Sequence, residues 1–408
     1  MKPRAVTGAL HGIRVLDLTQ MMSGPFCTML LADQGADVIK IEPPEGEATR
    51  AFGPHFDDDA DRFYGGYFQS INRNKRSICI DLKSAAGKAA LRRLVEGADV
   101  LVENFRAGVM DRLELSYESL AAINPRLVYA AIRGFGDPRT GVSPYQDWPA
   151  YDIVAQAMGG IMSVTGPAEG PPTKIGPGVG DTVPAMLATI GLLSAVIHAR
   201  ATGEGQFVDV AMTDGVFAIC ERAAMLYSYR GEVSGGEGNH HPLFAPFGTF
   251  ACKDGWVAVG CPRDHFWAIL TEIMGRPELG SDPRYAANAE RTVRRHEVIG
   301  IVAAWAARHT KAELAAMIGG KVPFGPVNAV ADIFDDTHAD ARAMLAEVGH
   351  AGSSKTARIA NTPIHMTKTP GGVRERAPVA GEHTDAVLAE AGLDPDEIAA
   401  LRKAGAVR

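Results

Sequence analysis

Between Ile13 and Ile41 the chain spells out one strand–helix–strand unit, and no other stretch restricts the fold as much. Ile13–Leu18 is an apolar, β-rich run, Thr19 to Gly24 a loop, and Pro25 to Gln34 a helix by composition. Pro25 suits the first helical position, where no N–H is needed, and Gly35 suits the residue past the end. Val38–Ile41 follows as a second β run, giving the length of a βαβ unit, about 30 residues. The rhythm persists: Ser77–Leu82 reads as strand, Lys83–Glu96 as helix, and Val100–Val102 and Val128–Ile132 as further strands. Apolar strands alternating with amphipathic helices predict an α/β layer of the doubly wound kind.

From Thr165 to Gly180 proline and glycine forbid regular structure, and a long apolar helix, Pro184–Arg200, is expected next. Gln206–Met212 then reads as strand and Gly215–Tyr229 as helix, with Ser234–His241 as linker. Beyond it the pattern changes. Phe247–Ala251 and Trp256–Gly260 flank an Asp-Gly turn, the signature of an antiparallel hairpin. Helices follow to about Lys321, then short strands and a terminal helix, Pro395–Ala404.

With 408 residues the chain has room for two or three domains. Its 41 Lys and Arg against 48 Asp and Glu leave a net charge of −7, which disfavours a nucleic-acid or anionic-membrane surface. Five cysteines without a CxxC pair argue against a disulfide framework or structural zinc and for a reducing compartment. The apolar run Ala185–Ala199 is interrupted by Thr189 and Ser194 and falls short of the ~18 residues a spanning helix needs. The expectation is a soluble, cytoplasmic protein that binds neither nucleic acid nor membrane.

Phosphate-loop, HExxH and GxSxG signatures are absent, and the glycines at 176, 178 and 180 lack dinucleotide spacing. His240–His241 reads more readily as a solvated pair than as a metal site. Arg73, Lys75, Arg76 and Lys83 are either a solvated rim or a phosphate contact. Arg106 and Arg112 follow the strand end at Glu103, the edge where open α/β sheets collect ligands. Asp181 is either a plain helix N-cap or a reactive carboxylate that flanking glycines leave open to approach.

Six stretches together resemble the class III CoA-transferase family, which includes formyl-CoA transferase, carnitine CoA-transferase and the α-methylacyl-CoA racemases. They are Gly12–Glu42, Asn72–Lys83, Ala98–Leu113, Tyr151–Gly160, Gly180–Met212 and Gly381–Leu393, in order along nearly the whole chain. The resemblance implies a Rossmann-like large domain built from both termini plus a smaller α+β domain, in a ring-shaped chain interlocked as a homodimer. Residues 1–230 and 326–408 would form the first domain and 231–325 the second.

It also implies a site. Asp181 falls at the family's nucleophile. Coenzyme A, a substrate rather than a prosthetic group, would run past Ile80, Asp81, Leu82 and Lys83 with its adenosine and past Asn104, Phe105 and Arg106 with pantetheine and diphosphate. Arg112 would meet a phosphate and Tyr151 the thiol end; no metal is implied. The implied reaction moves CoA from an acyl-CoA donor to a carboxylate acceptor through an aspartyl anhydride and an aspartyl-CoA thioester. Where formyl-CoA transferase has His-Val-Gln, this chain has Gln20, Met21 and Met22, so the amide donor of that loop is missing at Met22. The segment 238–250 instead resembles members handling succinyl-CoA and dicarboxylates, whose second carboxylate needs a cation; Arg50 and Arg73 are the candidates. The alternatives are a racemase-like enzyme, although Tyr151 replaces the racemase histidine, and a non-catalytic CoA-binding protein.

Overall fold

The computed structural model describes residues 8–408 and is built around six parallel strands. They are β1 (Arg14–Asp17), β2 (Asp37–Glu42), β3 (Arg76–Cys79), β4 (Val100–Glu103), β5 (Val128–Arg133) and β6 (Phe207–Ala211), in the order β3-β2-β1-β4-β5-β6. That order reverses between β1 and β4, which opens a crevice at their carboxyl ends. Leu16 pairs with Ile39 on one side and Leu101 on the other. Because strand side chains alternate, the sheet buries two separate cores. Val15, Val38, Val100 and Val128 face one, while Leu16, Ile39, Leu101 and Tyr129 face the other.

The helices of this unit up to residue 218 are α1 (Ser23–Asp33), α2 (Gly66–Asn72), α3 (Ala85–Val95), α4 (Val109–Arg112), α5 (Tyr117–Ala121), α6 (Asp152–Met158), α7 (Val179–Thr202) and α8 (Met212–Ala218). Helices α1, α7 and α8 close the first core. The second is closed by α3 and by Val387, Leu388, Ile398 and Val407 near the end of the chain. Residues 175–221 and 338–408 therefore complete the unit that the first 161 residues begin.

Helix α7 starts at Val179, five residues before the expected Pro184, which lies inside it. Pro184 withholds the amide that would bond the Gly180 carbonyl one turn earlier, a local cost that α7 bears. At 24 residues, with a mean hydropathy of 1.7 over its most apolar window, α7 is long and apolar enough to cross a membrane. The expectation that this run is too short is corrected on that count. Here α7 lays Ala185, Ala188, Leu192 and Ala195 against the first core. Its opposite face shows Ile190 and Ile197, 62% and 70% exposed.

The second unit comprises Met162–Lys174 and Arg222–Thr337. Its hairpin of β7 (Phe247–Cys252) and β8 (Gly255–Gly260) is extended by β9 (Phe324–Pro326). Helices including Asp264–Ile273, Arg295–Ala306 and Lys311–Ile318 cover it around buried Trp267 and Trp305. Three boundaries differ from those expected. The single helix read over 215–229 is broken at Ile219–Cys220, and the unit border falls just after, at Glu221. Residues 162–174 join the second unit, where the Gly238 amide donates to the Gly166 carbonyl. The return to the first unit comes at His338 rather than 326, since β9 still pairs with β8. All five cysteines are free.

Beneath the carboxyl ends of β1 and β2 lies a buried cluster of charges, which Lys75 joins from just before β3. Lys75 Nζ is 2.9 Å from Asp17 Oδ2, Lys40 Nζ 2.6 Å from Glu47, and Arg50 2.6 Å from Glu42. Burial opposes the charge on Asp17, yet Lys75, Lys40 and the Thr19 and Thr28 hydroxyls prevail and hold its carboxyl far below the usual range. Burial pushes the Lys75 ammonium down to about 8. Under β4, Glu103 accepts the Phe105 amide (2.7 Å) and pairs with Arg133, which donates to the Phe105 carbonyl (3.1 Å). Burial nonetheless pushes the Glu103 carboxyl up to about 7.

Replacing Lys75→Met strips Asp17 of its nearest counter-ion; the expected cost is ~3–5 kcal/mol, read as a lowered urea midpoint at pH 7. Glu103 gives a pH signature. Between its ordinary value of 4.5 and about 7 the folded chain holds a proton the unfolded chain has lost. That stabilising contribution, complete below the lower value, drains away by ~1 kcal/mol per pH unit as pH rises through the interval. Glu103→Gln should flatten the fall, and parallel thermal-midpoint curves for the two proteins from pH 5 to 8 would refute the assignment.

Candidate active site

The loop after β1 is clamped at almost every backbone group. The Thr19 amide donates to Asp17 and its carbonyl accepts from Lys40 Nζ (3.0 and 2.9 Å). Asn104 grips Gln20 from both sides, accepting its amide at 2.8 Å and donating to its carbonyl at 2.7 Å. The Met21 amide donates to Glu47 (2.8 Å), and this bond holds Met21 at φ 65, a left-handed conformation rare outside glycine. Glu47 and Lys40, which carry no motif, escaped the reading of the sequence. Their part shows only once β2 lies beside β1.

A cavity of about 320 Å³ opens beside this loop. Gln20, Ile80, Asp81, Leu82, Lys83, Phe105 and Arg112 line it, so seven of the expected site residues share one wall-to-wall space. Asp81 shapes its own turn by accepting the Lys83 amide at 3.0 Å. Pro43, Pro44, Val109 and Leu113 make the lining largely apolar. Asn104 lies behind it as the Gln20 clamp, and exposed Arg106 and the side chains of Met21 and Met22 are outside the lining.

Arg50 and Arg73 are corrected. Arg50 is fully buried, with its guanidinium spent on Glu42 and the Pro378 carbonyl. Arg73 is bound to Asp33 and the Ser70 carbonyl. Neither is open to a substrate carboxylate. Lys75 and Arg76 likewise serve ion pairs, with Asp17 and with Asp37 and Glu390, rather than a solvated rim or a phosphate. In the second unit His240 packs edge-on against Phe250, and His241 lies among Phe244 and Phe247. Burial lowers both imidazole pKa values, so these rings belong to an aromatic cluster, not a solvated pair. Among the described residues no three His, Cys, Asp or Glu side chains are grouped to hold a metal ion.

Asp181 is the third residue of α7, with Gly178 as the N-cap, so the plain capping role is excluded by position. Its Oδ2 lies 3.8 Å from the point a Gly178 Cβ would occupy, and the Asp152 carboxyl lies 3.7 Å from that same point. Two acidic groups thus flank a bare glycine. Tyr151, 60% exposed, is the N-cap of α6 directly before Asp152. Tyr67 of α2 feels the field of Asp181. Burial first, then the charges of Asp181 and Glu47, push its phenol up to about 12, so it keeps its proton at any working pH. Tyr67 was missed because Gly-Gly-Tyr-Phe carries no spacing that marks chemistry. The amides at 179–182 donate to Pro177, Asp152 and Gly178, so the first turn of α7 spends these four inside the protein.

A model of "CoA-transferase family III" matches residues 10–384. The succinyl-CoA:mesaconate CoA-transferase of Haloarcula marismortui is 47% identical over 390 residues, 95% of this chain and 97% of that protein. The succinate–glutarate CoA-transferase of Agrobacterium fabrum is 38% identical over 93% of this chain and 95% of its own. A CAIB/BAIF family crystal structure from Brucella suis superposes with a TM-score of 0.83 at 36% identity, covering 94% of this chain and all of that one (100%). The chain belongs to CoA-transferase family III.

Proposed function

We propose that the protein transfers CoA between succinyl-CoA and a dicarboxylate, with Asp181 as the covalent nucleophile. The observation that carries the reading is the placement of Asp181 against the bare Gly178 position, in the unit that also holds the cavity lined by the Ile80–Lys83 and Phe105–Arg112 stretches. The apolar lining suits an adenine ring, and Lys83 and Arg112 supply charge for phosphates. Relatives named for succinyl-CoA with mesaconate and for succinate with glutarate favour the dicarboxylate class. With Arg50 and Arg73 engaged, the second carboxylate meets some other group.

A carboxylate is ionised at neutral pH and needs no general base. Asp181 attacks the thioester carbonyl, the C–S bond breaks, and a mixed anhydride and a CoA thiolate result. The thiolate attacks the aspartyl carbonyl, releases the donor acid and leaves an aspartyl-CoA thioester. The acceptor carboxylate attacks that thioester and expels the thiolate, which returns to the new acyl carbonyl to give the product thioester and free Asp181. One thioester replaces another, so no ATP is consumed. Each tetrahedral oxyanion needs a donor; the charge of Asp181 acts on Tyr67, which makes its protonated hydroxyl the candidate for the role that Met22 cannot fill.

The exposed Ile190 and Ile197 face of α7 supports assembly with a second copy as the interlocked homodimer of the family resemblance. Free thiols and an acyl-CoA substrate favour the cytoplasm.

Asp181→Ala should lower turnover at least ~10³-fold with CoA affinity retained, and hydroxylamine should trap an adduct on the Asp181 peptide of the wild type alone. Tyr67→Phe should lower kcat by ~10–100-fold with CoA affinity unchanged. Calorimetric titration with CoA and mass spectrometry during turnover on succinyl-CoA and a dicarboxylate panel decide both; an unlabelled peptide under full turnover sinks the covalent reading.

A further inference from the structure

The Gly-Pro-Gly segment that leads into Asp181 is fastened at both ends by one side chain pair on α6. Gln156 is fully buried, and both ends of its amide are used. Its Oε1 accepts the Ile175 amide at 2.9 Å. Its Nε2 donates to both oxygens of Asp152, at 2.8 and 3.0 Å, one helical turn away. Asp152 Oδ1 in turn accepts the Gly180 amide at 2.9 Å. The entry of the loop, at 175, and its exit, at 180, are thereby tied to a single amide–carboxylate unit.

The fit around that unit is close. A Cβ on Gly180 would sit 2.6 Å from the Asp152 carbonyl oxygen and 3.0 Å from Ala155 Cβ, so α6 and the start of α7 touch through a missing side chain. Asp181 is the next residue. A buried methionine or leucine would fill the volume of Gln156 without burying an amide, whose polar atoms are costly unless fully bonded. What an apolar side chain would not supply is direction.

We propose that Gln156 is a positioning residue for the nucleophile: through Ile175, Asp152 and Gly180 it sets where the Asp181 carboxylate stands relative to the incoming thioester. This rests on the covalent aspartyl reading above. Acyl transfer is sensitive to such placement, since misplacing a reacting atom by about 1 Å can cost ~100-fold. The cavity residues are not among the latch partners, so the latch acts on the chemical step and not on CoA binding.

Three variants test it. Gln156→Met removes every one of these bonds at nearly constant volume. Gln156→Glu keeps an acceptor for Ile175 but sets a second carboxylate against Asp152. The pair Asp152→Asn with Gln156→Glu exchanges amide and carboxylate, so that each backbone amide again has an acceptor and the pair again has one donor. Both single variants should lose about 30-fold or more in kcat with KM for acyl-CoA within about twofold, and exchange of the Ile175 and Gly180 amides with deuterium should quicken about tenfold or more. The exchanged pair should recover to within about fivefold of wild-type kcat. Single variants within twofold of wild type, or a loss in kcat that merely follows a fall in thermal midpoint and a rise in KM, overturn the proposal. A wild-type chain that transfers no CoA sinks the functional reading instead, whatever the variants do.

Discussion

Carboxylates and cations are costly to bury singly, and the strand ends of this sheet bury three pairs. Asp17 with Lys75, Lys40 with Glu47, and Glu42 with Arg50 lie out of solvent side by side. Such groups persist only when each is paired and its remaining hydrogen-bonding capacity is used. Here the leftover capacity goes to the backbone of the loop after β1, at the Thr19 amide and carbonyl and the Met21 amide. The loop is thus held by electrostatics made strong by burial, and Gln20 is delivered to the cavity as a consequence.

The same logic recurs along the crevice. Glu103 and Arg133 hold both backbone groups of Phe105. Asp152 and Gln156 hold both ends of the loop before Asp181. In each case a buried polar pair one step behind the surface orients a stretch that faces the ligand. The residues that touch substrate in the proposed mechanism are few, and the groups that place them are more numerous and deeper.

How much of this could be read beforehand depended on the range of the interaction. The six strands, α1 and the hairpin of the second unit are encoded locally, in apolar runs closed by Gly and Pro, and their spans agree within a few residues. The cavity residues fell on recognisable stretches at strand ends. Arg50 and Arg73 misled because a guanidinium in sequence does not announce its partner. Glu42 is eight residues from Arg50 and Asp33 forty from Arg73, and only the assembled sheet brings them together. Tyr67, Glu47 and Gln156 were invisible for the same reason. Pro184 reads as a first-turn residue and so hides the true start of α7 at Val179, from which the helix runs straight through it.

The first unit is closed by residues translated after the second unit. Val407 bridges Ile80, the Pro378 carbonyl receives Arg50, and Arg374 donates to the Ala32 carbonyl at 2.6 Å. A nascent chain therefore emerges with its opening sheet lacking one cover while the whole second unit is synthesised and leaves the ribosome. Contacts of such long sequence separation slow folding and leave greasy strand faces open to strangers in the interval. Residues 338–408 act as a keystone, and the opening sheet is covered only when they drop into place.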